Sequence, residues 1–226
     1  MAATAKKNNS FAIWVSVAVV AVLVLVGALV VWMNNAAKDP GELPTASGID
    51  TTTGAIVVGD GPDTVSTFVD FMCPYCNAFE QTYGDTIQGL IEDGSITLEL
   101  HPVTILDRLS LGTEFSTRAA SAMYCVAEYS PDAVLPFLQT MYENQPSENT
   151  EGLTDEQIAE IASAVGADAA VDCIMAGTYM DFATAMTDNM PANPETGSVG
   201  TPTMLINGEY ITLTGDVDAD IIAYLS

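Results

Sequence analysis

With 226 residues, 49% of them hydrophobic, the chain is long enough for one domain with a full core and additional segments. Its charge is one-sided: 30 acids stand against 5 bases, a formal −25 at neutral pH. No acid precedes Asp39, whereas Lys6 and Lys7 do, so the part after Met33 is far more acidic than the start; such a surface repels nucleic acid and anionic lipid and excludes both as ligands.

Residues 1–10 carry those two lysines and read as a cytoplasmic N-terminus. Phe11 to Met33 follow without a charge and are dominated by Val, Ala and Leu. About 20 apolar residues cross a bilayer as a helix, so 11–33 is predicted to be one N-terminal transmembrane anchor. The flanking lysines keep the N-terminus inside and export everything after Met33. A cleaved signal peptide is the alternative, but its apolar core is shorter, and Asn34-Asn35-Ala36-Ala37 lacks an A-x-A site. Residues 34–53 are rich in Asn, Ala, Pro, Gly, Ser and Thr and read as a flexible linker, and residues 54–226 as the exported domain.

In that domain, Ala55–Val58 and Thr64–Phe71 are predicted strands, separated by the turn Gly59-Asp60-Gly61-Pro62. Cys73-Pro74-Tyr75-Cys76 comes directly behind the second strand. It opens a helix whose apolar face is Cys76, Phe79, Tyr83, Ile87, Leu90 and Ile91. Two thiols three residues apart at a helix start can close a disulfide, and the free N–H groups there favour a thiolate on the first. A zinc site would need a second ligand pair, and His101, Cys125 and Cys173 offer none at ligand spacing; no metal and no cofactor is expected.

Ser95–Val103 returns as a strand, and His101-Pro102 near its end reads as packing or capping. From about 105 to 190 the chain is rich in Ala and Met at helical spacing, with helices predicted to start at Thr113, Ser130-Pro131, Thr154 and Asp168. Ser130 before Pro131 is an N-cap and N1 pair, and Thr154-x-x-Gln157 a capping box. Cys125 and Cys173 fall on two of these helices. In an oxidising compartment they are expected to form a structural disulfide, with two independent buried thiols as the alternative. Arg108 and Arg118 are expected to pair with nearby acids. Gly200-Thr201-Pro202-Thr203 then opens another strand, with a cis bond expected at Pro202. Asn207-Gly208 marks a hairpin into Glu209–Leu213, and Asp216–Leu225 closes as a short helix.

Phe68-x-Asp70-x-x-Cys73-Pro74-Tyr75-Cys76 together with Gly200-Thr201-Pro202-Thr203 and Asn207-Gly208 resembles the DsbA-type thiol:disulfide oxidoreductases. The resemblance covers Gly54 to Ser226. It implies an α/β fold of thioredoxin type with an all-helical insertion, here preceded by the single transmembrane helix. It also implies that Cys73 is an exposed nucleophile and Cys76 the more buried resolving thiol. Pro74 and Tyr75 would tune the potential, and Thr201 with cis-Pro202 would pair with substrate backbone. Members of this family and thioredoxins carry a buried acid six residues before the first cysteine, but here that residue is Thr67. Asp70 has the other strand parity and is given no proton role; it reads as a polar residue at the strand end, within reach of the site. Glu99 is considered as a replacement acid, with a solvated strand face as the alternative.

The expected function is an extracytoplasmic oxidase that introduces disulfides into exported cysteine-containing proteins. A membrane quinone-linked reoxidant of the DsbB or vitamin K epoxide reductase type is expected to recharge the protein, which is expected to be a monomer. A disulfide isomerase or reductase is the alternative, and a non-catalytic surface or chaperone domain a third reading.

Overall fold

The computed structural model describes residues 10–36 and 40–226, with the side chains of the first helix described over 14–29. The chain divides into two compact units between Asp39 and Pro40. The first contains α1 (Ser10–Ala36). Among the described residues, no helix is long and apolar enough to cross a membrane. The anchor expected over 11–33 is therefore not shown. Of the expected cytoplasmic N-terminus, 1–9 lie outside the described residues.

The second unit is built on a five-stranded sheet of order β1-β3-β2-β4-β5. The strands are β1 (Ile56–Val58), β2 (Asp63–Val69), β3 (Ile96–Pro102), β4 (Thr203–Ile206) and β5 (Glu209–Tyr210). β2 lies parallel to β3, and the other pairings are antiparallel. A parallel pair needs a crossover, which α2 (Pro74–Glu92) supplies. Flanked on both sides, β2 is buried almost from end to end, although only Val65, Phe68 and Val69 of its seven residues are non-polar. Side chains nonetheless alternate between faces: Thr67, Val69, Leu98 and Leu100 meet Phe79 and Ile87 of α2, while Ser66, Phe68, Glu99 and His101 face the other way.

Between β3 and β4 the chain is helical: α3 (Phe115–Tyr129), α4 (Val134–Glu143), α5 (Asp155–Ala164), α6 (Val171–Ala176) and α7 (Met180–Thr187). The fold is thus α/β, with the expected helical insertion between β3 and β4. α3 is its axis, buried almost from end to end because its residues include four alanines that admit close neighbours. The capping box at Thr154 and Gln157 forms in both directions. Ser130 makes no side-chain cap; Pro131–Ala133 is a separate 3₁₀ turn before α4. The single helix expected from Asp168 is two, α6 and α7, because Gly177 adopts φ 60° and ends the first. A short α8 (Val217–Asp220), capped by Asp216, and one 3₁₀ turn stand where a single C-terminal helix was expected. Cys125 and Cys173 form a disulfide between α3 and α6. The 48-residue separation it closes is worth about 4 kcal/mol in the chain-entropy account.

The linker expected over 34–53 gives way at Pro40, where the second unit begins. Pro44 and Ile49 are buried, and Ile49 bridges Ile56. The Glu128 carboxylate of α3 accepts from the Thr45 and Ala46 amides, each at 2.8 Å. Gly54 carries φ 79° and lies against Met186, and its carbonyl accepts from Tyr124 Oη at 2.8 Å. Composition hid this packing because the segment is anchored by a few residues rather than by apolar periodicity.

Candidate active site

β2 ends at Val69, and the chain turns through Asp70-Phe71-Met72 into α2. Cys73 is the N-cap, extended at φ −78° and ψ 116°, with Pro74 in the first turn where its missing N–H costs nothing. No side chain caps this end, so the first N–H groups of α2 face the cysteine sulfur. Both thiols are free and buried: Cys73 is 4% exposed and Cys76 0%. The expectation of an exposed Cys73 is corrected accordingly. Its sulfur is covered by the Thr201–Pro202 segment, with Cys73 Sγ 3.5 Å from the Thr201 carbonyl oxygen. Tyr75 between the thiols is 74% exposed. The Thr201–Pro202 bond is cis. Tyr75, Phe79, Thr82, Tyr83, Pro202 and Leu213 line a mostly apolar groove of about 330 Å³ beside the dithiol.

The two thiols are electrostatically unlike. Cys73 is lowered from 9.0 to about 6, first by a hydrogen bond from the Cys76 thiol and further by Thr201 and the Cys76 and Tyr75 amides, against the opposing effect of burial. Cys76 is pushed well above its ordinary value, first by burial and then by its bond to Cys73 and the charge there. At neutral pH the pair is therefore one thiolate and one thiol, with the remaining proton placed between the sulfurs.

Asp70 is fully buried and accepts from Met72 N at 2.9 Å, Leu106 N at 3.0 Å and Ser116 Oγ at 2.7 Å. Its own amide donates to Cys76 Sγ at 3.5 Å. Burial, aided by the charge on Cys73, raises it to about 7. Asp70 thus ties the active-site turn to the helical insertion, a position its parity did not indicate. The end of α4 adds a second tie: Gln145 Nε2 donates to the Phe71 and Cys73 carbonyls at 3.0 and 2.8 Å, and Asn77 Nδ2 to the Tyr142 carbonyl at 2.9 Å. Tyr142 is buried with its ring against Phe71, and its hydroxyl lies 3.4 Å from the Asp70 carbonyl.

Other expectations resolve simply. Glu99 accepts from Ser66 Oγ at 2.7 Å on the face of the sheet opposite α2, so it is not the replacement acid. His101 stacks on Phe68, ring centroids 4.1 Å apart, and burial holds it below its usual range: a packing residue. Arg118 pairs with Asp155 at 2.8 Å, whereas Arg108 donates to the Ile105 carbonyl rather than to an acid. Among the described residues no His, Cys, Asp and Glu cluster is arranged to hold a metal. Tyr142 and Gln145 went unrecognised in the sequence, and Asp70 was read as a strand-end residue near the site without its ties to the insertion. Asp70 alone carried a signal, its place directly ahead of the dithiol.

Residues 51–219 match a family model described as thioredoxin. Among solved structures, oxidised DsbA of Mycobacterium tuberculosis is 28% identical with a TM-score of 0.62, covering 71% of this chain and 86% of that one. The reduced disulfide bond oxidoreductase DsbG of the same organism is 26% identical with a TM-score of 0.64, covering 84% and 89%. Among curated relatives, the serine/threonine-protein kinase PknE of M. tuberculosis is 34% identical over 131 residues, 56% of this chain. This chain spans 23% of that kinase's length.

Proposed function

We propose that this protein, which belongs to the thioredoxin family and is a protein disulfide oxidoreductase of the DsbA/DsbG type, works as an oxidase that gives its Cys73–Cys76 disulfide to other proteins. The observation that carries this direction is the setting of the Cys73 sulfur, on which the Cys76 thiol, Thr201 and the first amides of α2 converge, holding it down at about 6. A stabilised thiolate favours the reduced form, so the oxidised form gives its disulfide away readily.

A substrate thiolate attacks Cys73 Sγ; the Cys73–Cys76 bond breaks, and Cys76 leaves and takes up a proton. The substrate's second thiolate then attacks its own sulfur in the mixed disulfide and expels Cys73 as the thiolate. The substrate is oxidised by two electrons and the enzyme pair reduced by two. Thr201 and Pro202 border the groove beside the dithiol and are assigned to substrate binding, with Pro74 and Tyr75 between the cysteines tuning the potential. Recharging requires an external two-electron acceptor, for which a membrane quinone-linked protein of the DsbB or vitamin K epoxide reductase type is suited.

In the test, oxidised protein is added to a reduced, cysteine-rich substrate and, separately, to the same substrate with scrambled disulfides. Oxidation of the reduced form should accelerate much more than rescue of the scrambled one. The reverse order makes the protein an isomerase.

An extracytoplasmic location at the cell membrane is part of the proposal. It is supported by the uncharged run Phe11–Met33 behind Lys6 and Lys7 and by the bonded Cys125 and Cys173, which need an oxidising compartment. Membranes washed at alkaline pH should retain the chain, and its release into the wash would refute the anchor.

A further inference from the structure

The Cys73 carbonyl oxygen has more donors around it than a carbonyl has lone pairs. Within α2, the Cys76 amide reaches it at 3.0 Å and the Asn77 amide at 3.3 Å. From the insertion, Gln145 Nε2 reaches it at 2.8 Å, closer than either. Gln145 Nε2 also donates to the Phe71 carbonyl at 3.0 Å. One side chain therefore bridges the peptide groups on either side of the Met72–Cys73 bond.

The place of Gln145 follows from the local sequence. α4 ends at Glu143, and Gln145 stands directly before Pro146, where helical backbone is disfavoured. Asn77 of α2 aims the carboxamide: its Nδ2 donates to Gln145 Oε1 at 3.1 Å and to the Tyr142 carbonyl at 2.9 Å. Asn77 Oδ1 in turn accepts from Gln81 Nε2 at 2.8 Å. Because the Phe71 and Cys73 carbonyls only accept, the amino side of Gln145 has to face them. Its nitrogen and its oxygen are both engaged.

The Cys76 amide has two acceptors within reach. It bonds the Cys73 carbonyl, and it also donates toward the Cys73 sulfur. A carbonyl whose lone pairs are taken by a closer donor competes less for a shared proton. We infer that Gln145 is a positioning residue for Cys73: by occupying the Cys73 carbonyl it releases the Cys76 amide to the sulfur, and by bridging to the Phe71 carbonyl it fixes that sulfur before the open helix end. The helical insertion thereby takes part in the exchange reaction. Gln145 acts through Cys73 and not on the substrate.

This assignment rests on the oxidoreductase reading, and one titration separates the two. The reduced full chain in mild detergent is alkylated with iodoacetamide from acid to mildly alkaline pH, and modification at Cys73 is followed by peptide mass. A wild-type midpoint of about 8.5, that of an ordinary thiol, overturns the oxidoreductase reading itself. With the wild type at about 6, Gln145→Met, which keeps the side-chain length and removes both donors, should raise the midpoint by about one pH unit. On the acid side that means roughly tenfold less thiolate. Asn77→Ala leaves Gln145 in place but removes the donor that aims it, and should shift the midpoint the same way by less. Asp155→Ala breaks the ion pair with Arg118 inside the insertion, touches neither carbonyl, and should leave the midpoint unmoved. An unmoved midpoint in folded Gln145→Met overturns the assignment, and an unmoved Asn77→Ala does so should Gln145→Met not fold. An equal shift in Asp155→Ala would overturn it as well, because the effect would then be general loosening of the insertion.

Discussion

Cys73→Ser should reduce the oxidation of a dithiol substrate to the uncatalysed rate, while Cys76→Ser should accumulate mixed disulfides through Cys73. The asymmetry follows from place and charge. Cys73 is the sulfur beside the Thr201–Pro202 segment and its groove, and it is the thiolate. Cys76 is sealed beneath it and protonated. Without Cys76 nothing within the protein attacks the mixed disulfide, so the intermediate persists; without Cys73 no sulfur meets the substrate. Non-reducing electrophoresis after acid quenching checks both. Mixed disulfides through Cys76 in the Cys73→Ser variant, at the yield of the Cys76→Ser trap, would reverse the assignment.

Asp70→Ala should be the most damaging substitution to stability outside the hydrophobic core. Three buried donors, Met72 N, Leu106 N and Ser116 Oγ, lose their acceptor together. An unsatisfied buried donor costs about 1 kcal/mol or more, so the loss is at least about 3 kcal/mol. For a domain of this size that lowers the melting temperature by about 6–12 °C. Asp70→Asn keeps one acceptor oxygen and should lose less. It also separates packing from charge: Asp70, held at about 7, is still protonated where Cys73 ionises at about 6, so Cys73 should stay at about 6 in Asp70→Asn.

The pH dependence of Asp70 has a definite sign. Its folded value, about 7, lies above the ordinary 3.8, so the folded state binds the proton more tightly than the unfolded state does. Its contribution to stability is complete below pH 3.8 and is lost as pH rises through about 7. Thermal melts of wild type and Asp70→Asn should therefore converge or cross as pH rises through that window. Parallel curves would show that Asp70 titrates as it does in the unfolded chain.

Much of this site was legible in the sequence because its signals are local. A strand running into Cys73-Pro74-Tyr75-Cys76 fixes the thiols at a helix N-terminus, and Asn207-Gly208 sets a hairpin with φ 51° and 81°. Thr154 and Gln157 meet within one turn. The misread residues are those whose partners lie far along the chain. Asp70 was judged by strand parity, yet β2 stops at Val69, and alternation no longer governs a residue in the turn beyond it. Gln145 reaches Cys73 from 72 residues away, at the exit of α4. The break at Gly177 had a visible cause, a glycine within a helical pattern, but apolar spacing on both sides concealed it.

The account depends on the Cys73 sulfur being ionised at neutral pH and on the oxidising power this confers. Equilibrating the Cys73–Cys76 pair against defined ratios of reduced and oxidised glutathione measures that power directly. A reduction potential above about −200 mV is expected, in the range of strongly oxidising exchange proteins. A value below about −300 mV, typical of a structural bridge, would contradict it.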